Sequence, residues 1–237
     1  MNLNRDVTIE FLGHSTFKVT TPGGKVLLID PWVQGNPACP ERLKTFDRLD
    51  AMLITHGHFD HIGDTVKIYG SHEVTAVCIF ETGVWLNGKG VKKAMGMNKG
   101  GTVEVAGVKV TMVHADHSCG ILDDGKIIYG GDPCGYVIEL ENGFKLYHAG
   151  DTNVFGDMKI IAELYGPDLA MLPIGNMYTM SPREAAYACR LLQPKYVIPM
   201  HYGTFPILTG TPEELRKLTS DLTKMEVLPL KPGEKLA

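Results

Sequence analysis

Two short stretches near the start of the chain alternate between apolar and polar residues with the period of β-strands. Residues 7–11 and residues 17–20 both alternate, which is typical of half-buried antiparallel strands. Pro22-Gly23-Gly24 supplies a turn, and the apolar run Val26–Ile29 follows it. Residues 74–79 form another apolar run of strand length. The chain is therefore predicted to begin with antiparallel strands.

Helix signals are clear in the second half of the chain. The stretch Ser181–Glu184 has the sequence of a capping box with proline at the first helical position, and Ala185–Leu192 continues that helix. The stretch Thr211–Glu214 begins a second helix in the same way. A third helix is predicted from Asp157 to Tyr165, with its end at Gly166.

One seven-residue stretch, Thr55–His61, concentrates potential metal ligands directly after an apolar run. It reads Thr-His-Gly-His-Phe-Asp-His, and imidazole and carboxylate groups are ligands that zinc and similar divalent ions select. Because side chains alternate in an extended segment, His56 and His58 can face the same way. If the chain then turns into a helix, Asp60 and His61 point toward a second position. One short loop can therefore serve two neighbouring metals.

Three further candidate ligands each follow, within a few residues, an apolar run that predicts a strand: His117, Asp151 and His201. Folds of the α/β type place their functional sites on loops at the ends of buried strands. The pattern therefore predicts that these residues and the Thr55–His61 stretch belong to one site.

Composition narrows the class of protein. The 237 residues are 44% hydrophobic and 21% charged, enough to bury a substantial core in one large domain or two small ones. The formal net charge of −4 argues against a general nucleic-acid coat.

Five scattered cysteines without a CxxC pair indicate reduced thiols in a cytoplasm. Residues 1–6 contain no apolar signal region, and no apolar run is long enough to span a bilayer. We therefore expect a cytoplasmic protein that does not associate with a membrane.

The chain resembles the metallo-β-lactamase superfamily, whose signature His-x-His-x-Asp-His is matched by residues 56–61. The superfamily's other motifs are matched by single residues in the same order: Asp30, His117, Asp151 and His201. Order and spacing are most similar to a compact family of metal-dependent hydrolases in the branch related to ascorbate-phosphate lactonases. The resemblance implies one domain over residues 1–237, of mixed α/β (α+β) class. Its architecture would be a four-layer αβ/βα sandwich with the site along one edge.

By this resemblance, seven side chains hold two metals. One metal would be bound by His56, His58 and His117, and the other by Asp60, His61 and His201. Asp151 would bridge the two. The expected ions are zinc, with manganese or nickel left open. Two such ions bridge one water and lower its pKa to near 7, which creates a hydroxide nucleophile. Asp60 would also be catalytic, because it can orient that nucleophile and carry its proton.

The expected reaction is hydrolysis of a small-molecule phosphodiester or lactone, with amides and thioesters left open. Nucleic acid is not the expected substrate, although a small phosphodiester stays open. His58 is an imidazole where diiron oxidoreductases of the superfamily usually carry an acidic residue, and this favours hydrolysis over redox chemistry. The rival hypotheses are a non-catalytic metal-binding or regulatory protein and a diiron redox protein. Related proteins often assemble, so a homo-oligomer is open.

The sequence allows more than one role for several histidines and for one aspartate. His117 matches the third motif better than His114 because Ser118-x-Gly120 follows it. Asp30 is interpreted as a residue that fixes a ligand histidine by hydrogen bonds, against a simple strand-end turn. His14 is such a donor, a residue that touches substrate, or a structural histidine. His148 is interpreted as a residue buried in a strand. His72 is interpreted as a residue on the surface of a loop.

The remaining candidates lie outside the motifs. Four lysines, Lys89, Lys92, Lys93 and Lys99, could meet an anionic substrate, but a solvated helix face is the preferred interpretation. Met95 and Met97 are interpreted as core residues. Asp132 either belongs to an ordinary turn or brings a carboxylate near the site, and the sequence does not choose between these.

Overall fold

Two large β-sheets form the centre of the molecule. The computed structural model describes residue 3 and residues 5–237. The expectation drawn from residues 1–6 falls in part on residues 1, 2 and 4, which lie outside the described residues. Numbered in chain order within the described part, the strands are β1 (Thr8–Gly13), β2 (Thr16–Thr20), β3 (Val26–Ile29), β4 (Ala51–Leu53), β5 (Thr75–Ile79), β6 (Ala94–Met97), β7 (Thr102–Val105), β8 (Val108–His114), β9 (Gly120–Asp123), β10 (Lys126–Tyr129), β11 (Cys134–Glu139), β12 (Lys145–His148), β13 (Leu169–Pro173), β14 (Tyr196–Met200), β15 (Glu226–Val227) and β16 (Lys235–Leu236). The helices are α1 (Phe59–Ile62), α2 (Thr65–His72), α3 (Phe80–Gly88), α4 (Met158–Tyr165), α5 (Pro182–Leu192) and α6 (Pro212–Leu218), with one 3₁₀ turn at Glu41–Leu43.

Each large sheet combines three antiparallel pairings with three parallel ones. The first has the order β16-β1-β2-β3-β4-β5-β6 and changes from antiparallel to parallel at β3. The second has the order β7-β8-β11-β12-β13-β14-β15 and changes in the same way at β12. The two halves of the chain therefore share one pairing pattern, which the sequence shows only weakly. Strands β9 and β10 form a separate hairpin.

The buried apolar residues form three clusters that define the layers. The central cluster fills the space between the sheets and contains Phe17 and Tyr136, both fully buried. A second cluster packs the outer face of the first sheet against α1 to α3, and a third packs the second sheet against α4 to α6. This helix–sheet–sheet–helix order confirms the predicted mixed α/β four-layer αβ/βα sandwich. It follows from strands that are apolar on both faces and need cover on both sides.

Local sequence signals place several elements as expected. Strand β3 covers the predicted residues Val26–Ile29. Helix α5 begins with the predicted capping box, because the Ser181 hydroxyl accepts from the Glu184 N–H while the Glu184 carboxylate accepts from the Ser181 N–H. Helix α4 ends at Gly166, whose φ of 55° lies in the left-handed region that glycine favours.

Two interpretations of surface residues are wrong. The lysine cluster does not form a helix face, because α3 ends at Gly88 and all four lysines lie in turns. Lys89 donates to Asp123 and Lys99 donates to Asp132. His72 is the last residue of α2 and is half-buried, so it does not lie on a loop. Helix α2 has little amphipathic pattern and contains Gly70, which is why its sequence does not predict a helix.

The two methionines of β6 differ in their surroundings. Met95 is 37% exposed, so its interpretation as a core residue is wrong, whereas Met97 packs against the central cluster. Strand β6 lies at the edge of the first sheet. A side chain on an edge strand has a neighbouring strand on one side only, which explains why Met95 remains partly open to solvent.

Candidate metal centre

The loop after β4 carries four candidate ligands to the edge of the sandwich. His56 lies between β4 and α1, outside both elements, and His58 precedes α1 with extended backbone angles. Helix α1 begins directly afterwards, so Asp60 and His61 leave in another direction, as the sequence pattern suggested. Gly57 is required between the histidines because a Cβ there would overlap the Ile121 side chain. The predicted turn into a helix therefore separates the four ligands into two groups.

The first group consists of His56, His58 and His117. The Nε2 atom of His56 and the Nδ1 atom of His58 lie 3.0 Å apart. The His117 ring centroid lies 5.2 Å from that of His56 and 5.1 Å from that of His58. One nitrogen from each ring can be chosen so that all three lie within 4.8 Å of one another. Three imidazoles at this spacing could hold one divalent ion.

The second group contains Asp60, His61 and His201, with His14 beside them. The Oδ2 atom of Asp60 lies 3.9 Å from both His61 Nε2 and His201 Nε2, and 2.9 Å from His14 Nε2. His201 has a φ of 54°, a left-handed conformation at the end of β14, and its N–H donates to the His14 carbonyl at 2.7 Å. This hydrogen bond joins the two sheets at the site.

Asp151 lies between the two groups. Its Oδ2 atom is 2.9 Å from His201 Nε2, 3.2 Å from His61 Nε2, 3.7 Å from His117 Nε2 and 3.9 Å from His56 Nε2. The carboxylate is 2% exposed, and its Oδ1 atom and the Nε2 atom of His61 are buried without a hydrogen-bond partner. Buried polar atoms are costly when unpaired. Divalent cations would satisfy these atoms, so the donor set fits metal ions.

A second layer of hydrogen bonds fixes how the ligand histidines point. The Asp30 carboxylate accepts from the Thr55 N–H, the Thr55 hydroxyl and His61 Nδ1, each at 2.8 Å. Because the Thr55 hydroxyl donates to Asp30, it accepts from His56 Nδ1 at 3.0 Å. The Nε2 atoms of His56 and His61 therefore face the other candidate ligands. Such carboxylate–histidine contacts orient metal ligands in proteins.

Charges in the cluster suit cation binding. Burial lowers the pKa of His56, His58 and His117, which favours the neutral imidazole that coordinates metals. Burial opposes ionisation of Asp151, but His201 and His61 hold the pKa of its carboxyl well below the usual range. Burial also disfavours charge on His61, yet Asp151 and Asp30 raise its pKa above the usual value.

His14 joins the cluster to the loop after β14. Its Nε2 faces Asp60 and its Nδ1 lies 3.0 Å from the Thr204 hydroxyl. Burial, with an added effect of His201, lowers its pKa to about 4, so the ring is neutral at neutral pH. His14 Nε2 then donates to Asp60, and Nδ1 accepts from Thr204. The sequence left His14 as a hydrogen-bond donor, a residue that touches substrate or a structural residue, and these contacts are those of a donor.

The remaining candidates lie elsewhere. His114 is exposed at the end of β8, with its ring 4.8 Å from that of Phe155, and it is outside the cluster. His148 is buried in β12, as expected. Asp132 is exposed and paired with Lys99, so its carboxylate does not belong to the site. Sequence reasoning missed Thr55, whose role depends on a hydrogen bond to Asp30 twenty-five positions away.

A cavity of about 530 Å³ opens onto the cluster. His58, Asp60, His117, Asp151 and His201 form its floor. Its wall was not predicted from the sequence as a surface and consists mainly of apolar side chains: Phe59, Tyr178, Phe205, Ile207 and Leu208. Aromatic and aliphatic residues at these positions carry no sequence signal that separates them from ordinary packing residues. The cluster is therefore accessible to a small molecule.

Known proteins resemble this chain over nearly its full length. The family model described as "Beta-lactamase superfamily domain" matches residues 25–202. A protein of Koribacter versatilis named UPF0173 metal-dependent hydrolase is 60% identical over 226 residues, which cover 95% of this chain and 96% of that one. A protein of the same name from Rubrobacter xylanophilus is 53% identical and covers 96% and 95% of the two chains. The solved structure of a metallo hydrolase from Ignicoccus hospitalis has a TM-score of 0.85 with 37% identity, and 97% of each chain is covered.

Proposed function

The chain belongs to the beta-lactamase superfamily and is a metal-dependent hydrolase, and we propose that it uses two divalent metal ions held on either side of Asp151. The arrangement around Asp151 supports this proposal more than any other observation. Its Oδ2 atom lies within 3.9 Å of nitrogens from both groups of histidines. A single carboxylate in this position can ligate two ions at once.

In this proposal the ligand sets are those expected from the resemblance. His56, His58 and His117 hold one ion, Asp60, His61 and His201 hold the other, and Asp151 bridges. Zinc is the expected ion because imidazole and carboxylate ligands suit it, while manganese or nickel would fit the same donors. When bound, the pair of ions supplies a hydroxide nucleophile near neutral pH and stabilises the negative charge that develops on the substrate.

The chain's own residues position the reacting groups. Asp60 is ionised, because His61 and the hydrogen bond from His14 lower the pKa of its carboxyl although burial opposes this. Its side chain remains 14% exposed to the cavity. An ionised carboxylate at the cavity can accept a hydrogen bond from the attacking water and hold its proton. Asp30 acts through His61, whose ring it orients.

The substrate is proposed to be a small phosphodiester or lactone. A cavity of about 530 Å³ is within the range that small-molecule sites occupy.

Within the described residues, no helix is long and apolar enough to cross a membrane. The proposed cytoplasmic location is supported by five buried, unpaired cysteines. A homo-oligomer is also part of the proposal, and the exposed strand β10 supports it.

A hydrolysis screen tests the proposed function. The purified chain, loaded with zinc, manganese or nickel, is assayed with phosphodiesters, lactones and thioesters. We expect turnover of at least one class, lost on chelation and restored by metal. His61→Ala should abolish it, whereas His72→Ala, which removes a histidine far from the cavity, should leave it intact. Absence of turnover in all three classes by a metal-loaded chain would contradict a hydrolase acting on these bonds.

A further inference from the structure

The cavity above the metal cluster has an apolar wall and little fixed charge of its own. Five side chains of the wall, from three separate segments, are aromatic or aliphatic: Phe59, Tyr178, Phe205, Ile207 and Leu208. None of the described residues that line the cavity is a lysine or an arginine. Apart from the Tyr178 phenol, its ionisable groups belong to the metal cluster or to His14 beside it. The wall therefore offers a substrate apolar contact but no cationic partner.

Three of the wall residues are large side chains that remain exposed at the cavity. Phe59 is 58% exposed, Tyr178 is 57% exposed and Ile207 is 44% exposed. They converge on the mouth of one cavity and are not scattered over the surface. Contiguous exposed apolar groups of this kind mark binding sites in soluble proteins. A ligand that covered them would remove apolar surface from water.

The wall is held in place before any ligand arrives. Phe59 packs edge-on against the buried Trp32 with ring centroids 5.8 Å apart, and Phe205 lies 6.2 Å from the same ring. The loop that carries Phe205 closes on itself, because the Leu208 N–H donates to the Phe205 carbonyl at 3.0 Å. Such preorganisation lowers the entropic cost of binding.

The segment that carries Tyr178 is fixed in a similar way. Asn176 and Met177 both have left-handed backbone angles, with φ values of 67° and 58°. The turn is closed by a hydrogen bond of 3.0 Å from the Asn176 N–H to the Met180 carbonyl. Two consecutive residues in this conformation are costly, so the surrounding structure must maintain them. They direct the chain so that Tyr178 lines the cavity.

Charge distinguishes between phosphodiester and lactone substrates. Phosphate groups are commonly recognised by arginine forks or lysine ammonium groups. This wall supplies neither, so a phosphate would have only the proposed metal ions as cationic partners. An ionic group placed against Phe205 and Ile207, away from those ions, would lose hydration without compensation. An uncharged carbonyl substrate with an apolar substituent has no such penalty.

We propose that the substrate is an uncharged lactone or related ester whose apolar substituent lies against Phe59, Tyr178, Phe205 and Ile207. This inference rests on the proposed hydrolase function. In the reaction, water oxygen bonds to the carbonyl carbon and the bond from that carbon to the ring oxygen breaks. The ring oxygen takes a proton, and the product is a hydroxy acid. At neutral pH its carboxyl group is ionised, so each turnover releases one proton.

Proton release by a series of γ-lactones tests the proposal. The metal-loaded chain is assayed with γ-butyrolactone and with homologues that carry progressively longer alkyl chains. We expect kcat/KM to rise by about two- to fourfold for each methylene that the wall covers. A lactone of equal length that ends in a carboxylate should be hydrolysed at least about tenfold less efficiently, because its charge would be desolvated. A flat chain-length profile, or a preference for the carboxylate, would overturn the proposal.

A pair of tyrosine variants tests whether the dependence of kcat/KM on chain length arises at the wall. Tyr178→Ala should flatten the chain-length profile. Tyr187→Ala is the matched control, since Tyr187 is 58% exposed on α5 but does not line the cavity, and it should leave the profile unchanged. Equal effects of the two substitutions would contradict the assigned wall. Because both side chains are exposed, neither substitution should prevent folding.

A binding measurement separates this inference from the proposed catalysis. An alkyl cyclopentanone resembles a lactone but cannot be hydrolysed. Calorimetric titration of the chain should show binding with a negative heat-capacity change, weakened by Tyr178→Ala and not by Tyr187→Ala. If the chain hydrolyses bis(4-nitrophenyl) phosphate but neither binds the ketone nor prefers long lactones, the substrate inference fails and the hydrolase function stands. If no compound is hydrolysed although the ketone binds, the proposed hydrolysis of phosphodiesters or lactones fails instead.

Discussion

Asp60 has contacts that suit catalysis more than folding. Its carboxylate accepts a hydrogen bond from His14, faces His61 and His201, and reaches the cavity. Its side chain makes no contribution to the three apolar clusters. A residue with these contacts can change the reaction without changing the core.

Replacing this carboxylate by an amide should therefore affect turnover. Asp60→Asn keeps the shape but removes the charge and most of the basicity, so turnover should fall by about 10²-fold or more. Thermal unfolding of the metal-free chain should change little. Asp132→Asn makes the same chemical change at an exposed position and should leave turnover unaltered. Near-normal turnover by Asp60→Asn with both ions bound would show that Asp60 is only a scaffold residue.

The choice between His117 and His114 is testable at the same scale. His117 lies among His56, His58 and Asp151, whereas His114 is exposed beside Phe155. His117→Ala should remove about one ion per chain in elemental analysis and reduce turnover by more than about 10²-fold, the scale of losing catalytic metal chemistry. His114→Ala should retain both ions. The opposite pattern would mean that the third motif is aligned to the wrong histidine.

Strand β12 connects the metal centre to the other sheet through His148. His148 Nε2 donates to the Ser15 carbonyl at 3.0 Å, and its Nδ1 accepts from the Gly150 N–H at 3.2 Å. Both ring nitrogens are thus used by a neutral, fully buried ring. The contact holds the turn before Asp151 against the turn between β1 and β2.

Loss of this contact should destabilise the fold. His148→Phe leaves a buried carbonyl and a buried N–H unpaired, so we expect the free energy of unfolding to fall by about 2–4 kcal/mol. His72→Phe, at a half-buried position without such bonds, should cost about 0.5 kcal/mol or less. Urea unfolding measures both variants. A change of similar size in the two would contradict the role of His148 as a link between sheets.

The same histidine predicts a dependence of stability on pH. Burial lowers the pKa of His148 below its ordinary value of 6.5. As the pH falls through about 6.5, the unfolded chain takes up a proton that the folded chain does not, so the wild-type protein loses stability. His148→Phe lacks this contribution and should have a shallower loss between neutral and mildly acidic pH. Parallel pH profiles of the two proteins would contradict this assignment.

At the scale of the whole molecule, the sequence predicts the layers and the clustering of the candidate ligands better than the surroundings of that cluster. Periodicity and caps identify β3 and α5, and a dense ligand motif identifies His56 to His61, because these signals are local. Contacts between distant segments leave no local signal. Thr204 beside His14 and Tyr178 at the cavity are therefore visible only when the chain is folded. Helix α2 was not predicted because its buried face is too short to produce a clear period.

The hairpin of β9 and β10 bears on the oligomeric state. Strand β10 is exposed along its whole length, with Ile127 at 81% and Tyr129 at 73% exposed. An apolar edge strand is prone to pair with another chain. We expect sedimentation velocity to show a homo-oligomer that dissociates when Ile127→Lys places a charge on this strand. A monomeric wild-type chain, or an unaffected assembly in the variant, would contradict this prediction.

The proposed chemistry depends on two ions, which the two groups of ligands would hold and which would share the Asp151 carboxylate. Elemental analysis after reconstitution and removal of free metal measures this most directly, with the wild-type chain compared with Asp151→Asn. We expect nearly two divalent ions per wild-type chain. In the variant, the loss of the shared carboxylate should weaken both sites and lower the metal content well below two. A limit of one ion per wild-type chain, unchanged in Asp151→Asn, would contradict the proposed dinuclear centre.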